Sequence, residues 1–377
     1  MLSILSSVMA AKAEMVEIVE RSTRSESIRM GLESTFAGLQ SGDIAVWLPL
    51  VWAGILATAV ALYVVLDGFD LGLGILFPFY PSEEDRDVIM NTVAPFWDGN
   101  ETWLVLGGGG LLVAFPQAYA IIMPAVYLPV IVMLLALVFR GVAFEFRWVS
   151  KPHHHLWDLA FIGGSTVAAF MQGVILGSLL QGIRVEGGAF GGGTFDWFTP
   201  FALFCGAAVV AGYALLAATW LVMKTEGEVH DESRDYAKVL LIGVLVALAV
   251  VSVWTPWHLP RIAEVWFRMP NLLYLSPVPL ASAMAAFVCW RGLHGRAEVS
   301  PFFATVALFL LGFLGLVISN APYIVPPSVT VWDAAAPVKS QLFMLTGTLV
   351  MLPVILGYTV FVYFTFRGKM RHGEGYH

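Results

Sequence analysis

Two pairs of carboxylates interrupt long apolar stretches of this sequence. Asp67 and Asp70 are three residues apart, and Asp98 and Glu101 repeat that spacing. In a helix this spacing places both members of a pair on one face. Ionisable side chains within a membrane are costly and generally mark ion or proton pathways. Each pair is therefore a candidate for proton transfer.

Arg140 is the basic residue that we expect to lie near these four acids. A guanidinium suits buried carboxylates, so Arg140 paired with one or two of them would hold helices together. One arginine cannot neutralise four carboxylates, and the remainder is expected to bind protons or to contact water. Both interpretations stay open for Arg140. For Asp98 we favour a proton relay or a gate, whereas Asp67 is equally compatible with closing its helix together with Gly68.

The composition assigns these residues to a membrane protein. Apolar residues make up 58% of the 377 residues and charged residues 12%, whereas soluble domains have about half and a quarter. The net charge of −7 argues against nucleic acid as a partner. Two cysteines cannot form a disulfide framework, and Cys205 and Cys289 are expected near opposite ends of their helices, too far apart to bridge.

About nine stretches are long and apolar enough to cross the hydrocarbon of a bilayer as helices, at ~20 residues each. They cover residues 45–66, 88–115, 120–140, 156–181, 198–223, 237–256, 272–290, 301–321 and 341–366. Strands that alternate polar and apolar residues are not evident. The sequence therefore predicts an all-α polytopic membrane protein, whose first helix is compatible with extension to Phe79.

The basic residues of the loops predict the orientation. Most of them follow the first, third, fifth, seventh and ninth spans. The positive-inside rule then places the N-terminus outside and the C-terminus in the cytoplasm. The four acids and Arg140 share the cytoplasmic side. Residues 1–43 form an extension without an assigned function, either a disordered or amphipathic tail or a segment preceding a start at Met30; residues 44–370 form the membrane domain and 371–377 a cytoplasmic tail.

The remaining motifs predict structure rather than a ligand site. The histidines fall in loops or at span ends, whereas a haem between membrane helices normally needs an axial histidine or methionine at depth. We therefore predict no haem or metal site in this chain. The run His153–His155 is interpreted as a solvated loop and Gly107–Gly110 as close helix packing. Asp333 is expected either to contact a partner or to cap the ninth helix.

Several motifs resemble subunit II of cytochrome bd-type quinol oxidases, and the closest similarity is to the cyanide-insensitive branch. They are VLDGFDLG at 65–72, PFWDGNETWL at 95–104 and RGVAFEFR at 140–147, with further similarity at 322–337 and 366–369. The resemblance covers residues 44–370 and follows the family's order of motifs. It implies two four-helix bundles and one peripheral helix.

The resemblance also implies a function. The chain would form a heterodimer with a haem-bearing subunit I in the bacterial plasma membrane, and this complex would oxidise quinol and reduce oxygen to water. Subunit I would hold two b-type haems and one d-type haem. Protons would come from the cytoplasm, making the reaction electrogenic without pumping. Asp98 matches the acid of the proton route, with Asp67, Asp70, Glu101 and Arg140 around it.

Other assignments stay open at this point. The chain alone is expected to be inactive, and neither small single-helix subunits nor a bound quinone or lipid are decided by the sequence. A proton-coupled secondary transporter is the alternative function, because buried acids and broken helices are equally typical of transporters. A clear internal repeat would favour that alternative, and none is evident in the sequence. A haem protein in its own right is a third, weaker interpretation.

Overall fold

Long helices dominate the computed structural model, which describes residues 37–38, 40–150 and 154–371. The helices are α1 (Ile44–Leu76), α2 (Glu83–Asn91), α3 (Trp97–Ala114), α4 (Pro116–Val149), α5 (His154–Gln181), α6 (Pro200–Lys224), α7 (Glu228–His258), α8 (Pro260–Phe267), α9 (Asn271–Leu275), α10 (Pro277–His294), α11 (Ser300–Asn320) and α12 (Val338–Thr365). Two antiparallel hairpins join them, β1 (Val185–Glu186) with β2 (Ala189–Phe190) and β3 (Tyr323–Val325) with β4 (Val329–Thr330).

Eight helices among these residues are long and apolar enough to cross a membrane. They confirm the predicted all-α polytopic membrane protein. Each corresponds to one predicted span, namely Ile44–Phe79, Pro116–Val149, His154–Gln181, Pro200–Lys224, Glu228–His258, Asn271–His294, Ser300–Asn320 and Val338–Thr365.

The predicted span 88–115 is not one helix. α2 ends at Asn91, the chain turns, and α3 begins only at Trp97. Pro95 lies in this turn, where it cannot donate a backbone hydrogen bond and disfavours helical geometry at the preceding residue. The first turn of α2 is acidic, and α3 has only 18 residues, fewer than the ~20 of a typical span.

The longer helices other than α12 form two groups of four. The first contains α1, α3, α4 and α5, and the second contains α6, α7, α10 and α11. α6 joins them by packing along both α1 and α5. α12 touches mainly α1 and α3 and is largely exposed along its length, as a peripheral helix should be.

Glycines let α6 approach its neighbours to backbone contact. A Cβ at Gly72 would lie 1.9 Å from the carbonyl oxygen of Tyr213, and one at Gly173 would lie 2.4 Å from that of Cys205. Small residues at helix interfaces are typical of membrane proteins, because they allow close van der Waals packing. The two helix groups therefore meet at an interface that has no room for a side chain at Gly72 or Gly173.

The predicted packing role of the glycine run in α3 holds for two of its four members. A Cβ at Gly110 would lie 2.5 Å from Leu56 of α1, and one at Gly107 would lie 3.6 Å from Val60. A Cβ at Gly108 or Gly109 would have no atom within 4 Å in the described part of the chain. A helix has several faces, so a run of four consecutive residues cannot all meet one neighbour.

The positions of the two cysteines and of Asp333 bear on two further predictions. Cys205 and Cys289 are free and buried, as predicted for small core residues. Asp333 does not cap α12, because its Oδ2 accepts hydrogen bonds from the backbone N and Oγ1 of Thr330. It closes the turn that precedes α12, and the N-cap residue of that helix, Pro337, makes no side-chain capping hydrogen bond.

Candidate functional site

Arg140 lies fully buried among three carboxylates. Its Nη1 is 3.0 Å from Oδ1 of Asp67 and also donates to Oε1 of Glu101. Its Nη2 is 3.7 Å from Oδ2 of Asp70. The structure thus brings together four of the five residues that the sequence singles out.

Three helices supply these side chains. α1 continues past the acidic motif to Leu76, so Asp67 and Asp70 face the same side, as their spacing predicts. α3 supplies Glu101, and α4 supplies Arg140. α5 closes the site from behind, where a Cβ on Gly164 would lie only 2.9 Å from the backbone N of Arg140.

Two aromatic rings shield the guanidinium. Trp97 and Phe144 stack on each other, with ring centroids 4.7 Å apart. The Cζ of Arg140 is 5.5 Å from each ring centroid, which is within the range of cation–π attraction. Because these rings exclude water from one side, the electrostatic interactions of the cluster act in a medium of low dielectric constant.

The cluster has more acids than bases, and one of its four side chains is partly exposed. The side chains of Asp67, Asp70 and Arg140 are 0% exposed, whereas that of Glu101 is 28% exposed. Three carboxylates against one guanidinium leave surplus negative charge, which burial makes expensive unless protons bind. Glu101 is the member through which such protons can exchange with the surroundings.

Asp98 lies outside the buried cluster. It is exposed at the first turn of α3, one turn before Glu101, and its Oδ1 accepts a hydrogen bond from the backbone N of Gly99 at 2.7 Å. The two acids share a helix face, with Asp98 on the surface and Glu101 reaching inward to Arg140. A proton route through the cluster would therefore meet Asp98 at its outer end.

Asn100 and Tyr363 complete the site, and neither was predicted as a site residue from the sequence. The Nδ2 of Asn100 donates to Oδ2 of Asp70 at 2.7 Å, and the hydroxyl of Tyr363 donates to Oδ1 of Asn100 at 3.0 Å. Asn100 lies between Asp98 and Glu101 in the sequence, so this motif could have indicated it as a site residue. Tyr363 comes from α12, far along the chain, and no spacing predicts its contact.

A second polar chain runs from the cluster into the bundle. Tyr63 lies one helical turn before Asp67 on α1, and its hydroxyl accepts a hydrogen bond from Nε2 of Gln172 at 2.7 Å. The hydroxyl of Tyr213 donates to Oε1 of the same amide at 2.7 Å. These side chains link α1, α5 and α6 at depth, where each polar group needs a partner.

A separate ion-pair network lies at the same end of the helices. Asp158 of α5 accepts from Nε of Arg147 at 2.6 Å and from Nη1 of Arg86 at 3.0 Å. Arg147 also pairs with Asp87, and both guanidinium groups lie over the ring of Phe77. The network fastens the short helix α2 to α4 and α5.

The Asp158→Asn variant is expected to weaken this attachment. Asparagine keeps one acceptor oxygen but has no negative charge, and its NH₂ faces one of the two guanidinium groups, which costs about 2 kcal/mol of unfolding free energy. The loss is moderate because Arg147 retains Asp87. A lower thermal unfolding midpoint of the purified protein would show it, with the exposed Asp235→Asn as a control expected to unfold like the wild type.

The histidines of the described residues do not offer an axial haem ligand at depth. His154 is 2.8 Å from Glu83, His230 contacts Arg234, and His294 contacts the carbonyl of Trp290. His258 is the last residue of α7. Within the described ranges no group of three or more His, Cys, Asp or Glu residues is suited to a metal ion. His154 and His155, predicted to lie in a solvated loop, instead begin α5, and His153 lies outside the described residues.

Comparison with protein families gives one match that covers most of the chain. The family described as cytochrome bd terminal oxidase subunit II matches residues 48–366. The matched region contains every helix of the two four-helix groups except the first turn of α1. It also contains all five predicted site residues.

Relatives from three bacteria match along nearly their whole lengths. Cytochrome bd-I ubiquinol oxidase subunit 2 of Escherichia coli is 28% identical over 362 residues, covering 86% of this chain and 95% of the relative. A probable cytochrome oxidase subunit 2 of Haemophilus influenzae is 28% identical over 363 residues, with the same coverage. Cytochrome bd ubiquinol oxidase subunit 2 of Bacillus subtilis is 27% identical over 338 residues, covering 86% and 97%.

A solved structure shares the fold. A chain of the bd oxidase from Geobacillus thermodenitrificans superposes with a TM-score of 0.70 and covers 85% of this chain and 98% of its own length. Its sequence identity is 14%, so this similarity supports the arrangement of helices alone.

Proposed function

This chain belongs to the cytochrome bd terminal oxidase subunit II family, and from that premise we propose that its arginine–carboxylate cluster carries protons toward a partner's oxygen-reducing site. The chain is an accessory subunit of a membrane-bound terminal oxidase, a quinol:oxygen oxidoreductase complex that contains haem and a subunit I. The cluster is the feature of this subunit whose chemistry suits that reaction, because oxygen reduction to water consumes protons.

One observation carries the proposal. Asp67 and Asp70 beside Arg140 are buried, whereas Glu101 is partly exposed and Asp98 is exposed one turn away. A buried acid without a full set of cationic partners can bind and release protons at moderate cost. Asp98, on the surface of α3, is placed to pass them across an interface with subunit I.

The side of the membrane follows from the basic residues. Arg147, Arg234 and Lys369 lie at the same ends of their helices as the cluster. The positive-inside rule assigns that side to the cytoplasm, with the N-terminus outside, in a bacterial plasma membrane. Protons would therefore enter from the cytoplasm, and their uptake would make the reaction electrogenic without pumping.

The haems of the complex are assigned to subunit I, two of b type and one of d type. This assignment is supported by the positions of the described histidines, which occupy helix ends and contact protein groups. A haem there would supply electron transfer and oxygen reduction, and this subunit would supply protons and a packing surface. Membership of the subunit II family favours the oxidase over the transporter alternative.

Removing the exchangeable acids tests the proposal. In the complete complex, Glu101→Gln and Asp98→Asn are each expected to lower quinol-driven oxygen uptake about 100-fold, because loss of a positioned proton donor typically costs that much. The haem absorption spectrum and the subunit ratio should stay unchanged. Asp235→Asn, which removes an exposed acid at the same end of the helices, is the control. Normal uptake by both variants would refute the proton route.

A further inference from the structure

We infer that Asp70 stores a proton on its Oδ1, and that Asn100 and Tyr363 are positioning residues that reserve this oxygen for it. The inference rests on the proposed proton route, which it deepens by naming the group that is loaded before turnover. Three observations support it: the distances of the acids from Arg140, the donors around Asp70, and the way α12 is anchored.

The distances identify Asp70 as the acid that is paired most weakly with Arg140. Arg140 directs Nη1 at both Asp67 and Glu101, whereas its closest approach to Asp70 is 3.7 Å. Glu101 is partly exposed and can be hydrated, but Asp70 is 0% exposed. Burial of a carboxylate that is weakly paired and not hydrated favours its neutral, protonated form.

The groups that face Asp70 come from four helices. Asp67 lies on the same helix α1, Asn100 and Glu101 on α3, Arg140 on α4 and Tyr363 on α12. The two other acids add negative charge near Asp70, which further favours its neutral form. The single cation is shared by all three acids.

The hydrogen bonds decide which oxygen is protonated. The carbonyl oxygen of Asn100 accepts from Tyr363, so the amide turns its NH₂ toward Asp70. That NH₂ donates to Oδ2 at 2.7 Å, which makes Oδ2 an acceptor. Oδ1 is buried and has no hydrogen-bond partner among the described residues. The carboxyl group therefore has its carbonyl at Oδ2 and its hydroxyl at Oδ1.

The anchoring of α12 explains how Tyr363 keeps this orientation. Its ring packs on Phe96, with centroids 4.4 Å apart. Three residues later, the carbonyl of Phe366 accepts from Nζ of Lys224 at 2.6 Å. Because the rest of α12 is largely exposed, these two contacts help to fix where the tyrosine hydroxyl lies.

Infrared difference spectroscopy of the complete complex tests the inference directly. We expect the wild type to show, at neutral pH, the carbonyl stretching band of a buried protonated carboxyl group, and Asp70→Asn to abolish it. Asn100→Leu should move the band to higher wavenumber, because the carbonyl at Oδ2 loses its donor. Tyr363→Phe keeps the ring packing and should move the band in the same direction by less.

Turnover gives a second measurement. Asn100→Leu should lower oxygen uptake about ten-fold, the effect of one lost hydrogen bond of this strength. The matched control is Gln341→Leu, which removes another buried amide, one that donates to the carbonyl of Ala336 at the start of α12. This control should leave both the band and the uptake unchanged.

The outcomes separate this inference from the proposed function. A band that survives Asp70→Asn and disappears in Glu101→Gln or Asp67→Asn would overturn the inference, while the proton route would stand. A shift to lower wavenumber in Asn100→Leu would overturn the assignment of Oδ2 as the acceptor. Normal uptake in Glu101→Gln and Asp98→Asn would refute the route, whatever the infrared band shows.

Discussion

The Arg140→Leu variant is expected to accumulate little intact complex and to unfold at a much lower temperature than the wild type. Leucine removes the one cation of the cluster and leaves the buried Asp67 and Asp70 and the partly exposed Glu101 with no opposite charge. Breaking a buried ion pair from one side costs about 4 kcal/mol. Yield after purification and the thermal unfolding midpoint measure the loss.

Companion variants separate charge from shape. Arg140→Lys keeps the charge but not the planar fork that reaches two acids at once, so its midpoint should fall between those of leucine and arginine. Combining Arg140→Leu with Asp67→Asn removes one uncompensated acid and should recover part of the loss. A leucine variant as stable as the wild type would mean that the carboxylates bind their own protons without Arg140.

The Gly72→Ala variant is expected to separate the two helix groups. A Cβ at this position would lie 1.9 Å from the carbonyl oxygen of Tyr213 and 2.7 Å from the Cβ of Ala217. The first atom belongs to the backbone of α6, so only a displacement of the helix could make room. We expect a loss of at least about 3 kcal/mol, seen as a lower unfolding midpoint and as dissociation of the complex in detergent.

A glycine on the same helix provides the control. Gly54 has no atom within 4 Å of a built Cβ among the described residues. Gly54→Ala should therefore be neutral or slightly stabilising, because alanine has the higher helix propensity. If both alanine variants behaved like the wild type, the close contact between α1 and α6 would not exist in the folded protein.

Much of the architecture was predictable from local pattern. Eight of the predicted spans correspond to membrane-length helices. A stretch of about 20 consecutive apolar residues is long enough to cross the hydrocarbon of a bilayer as a helix, so such stretches can be recognised in the sequence. The spacing of Asp67 and Asp70 correctly predicts that both lie on one helix face. The span 88–115 was mispredicted as continuous, since apolar content outweighed the turn around Pro95.

The composition of the site was predictable only in part. Scarcity of charge in an apolar chain identifies Asp67, Asp70, Glu101 and Arg140, because such groups are expensive in a membrane and few are present. It cannot distinguish Glu101, which reaches Arg140, from Asp98, which stays on the surface. The spacing of three places both on one face of α3, and only the position of α4 decides which of them meets the arginine.

The sequence by itself determined the membrane class, eight of the nine spans and the acids proposed for proton transfer, because these depend on local composition and helical periodicity. The tertiary structure alone decided the distances from Arg140, the exposure of Asp98, and the meeting of Tyr363 with Asn100 across 263 residues. Contacts between distant helices depend on how their surfaces pack. At Gly72 and Gly164 this packing leaves no room for even one added side-chain carbon. The physical reason is that a buried charge is governed by its nearest partners, and here those partners come from different helices.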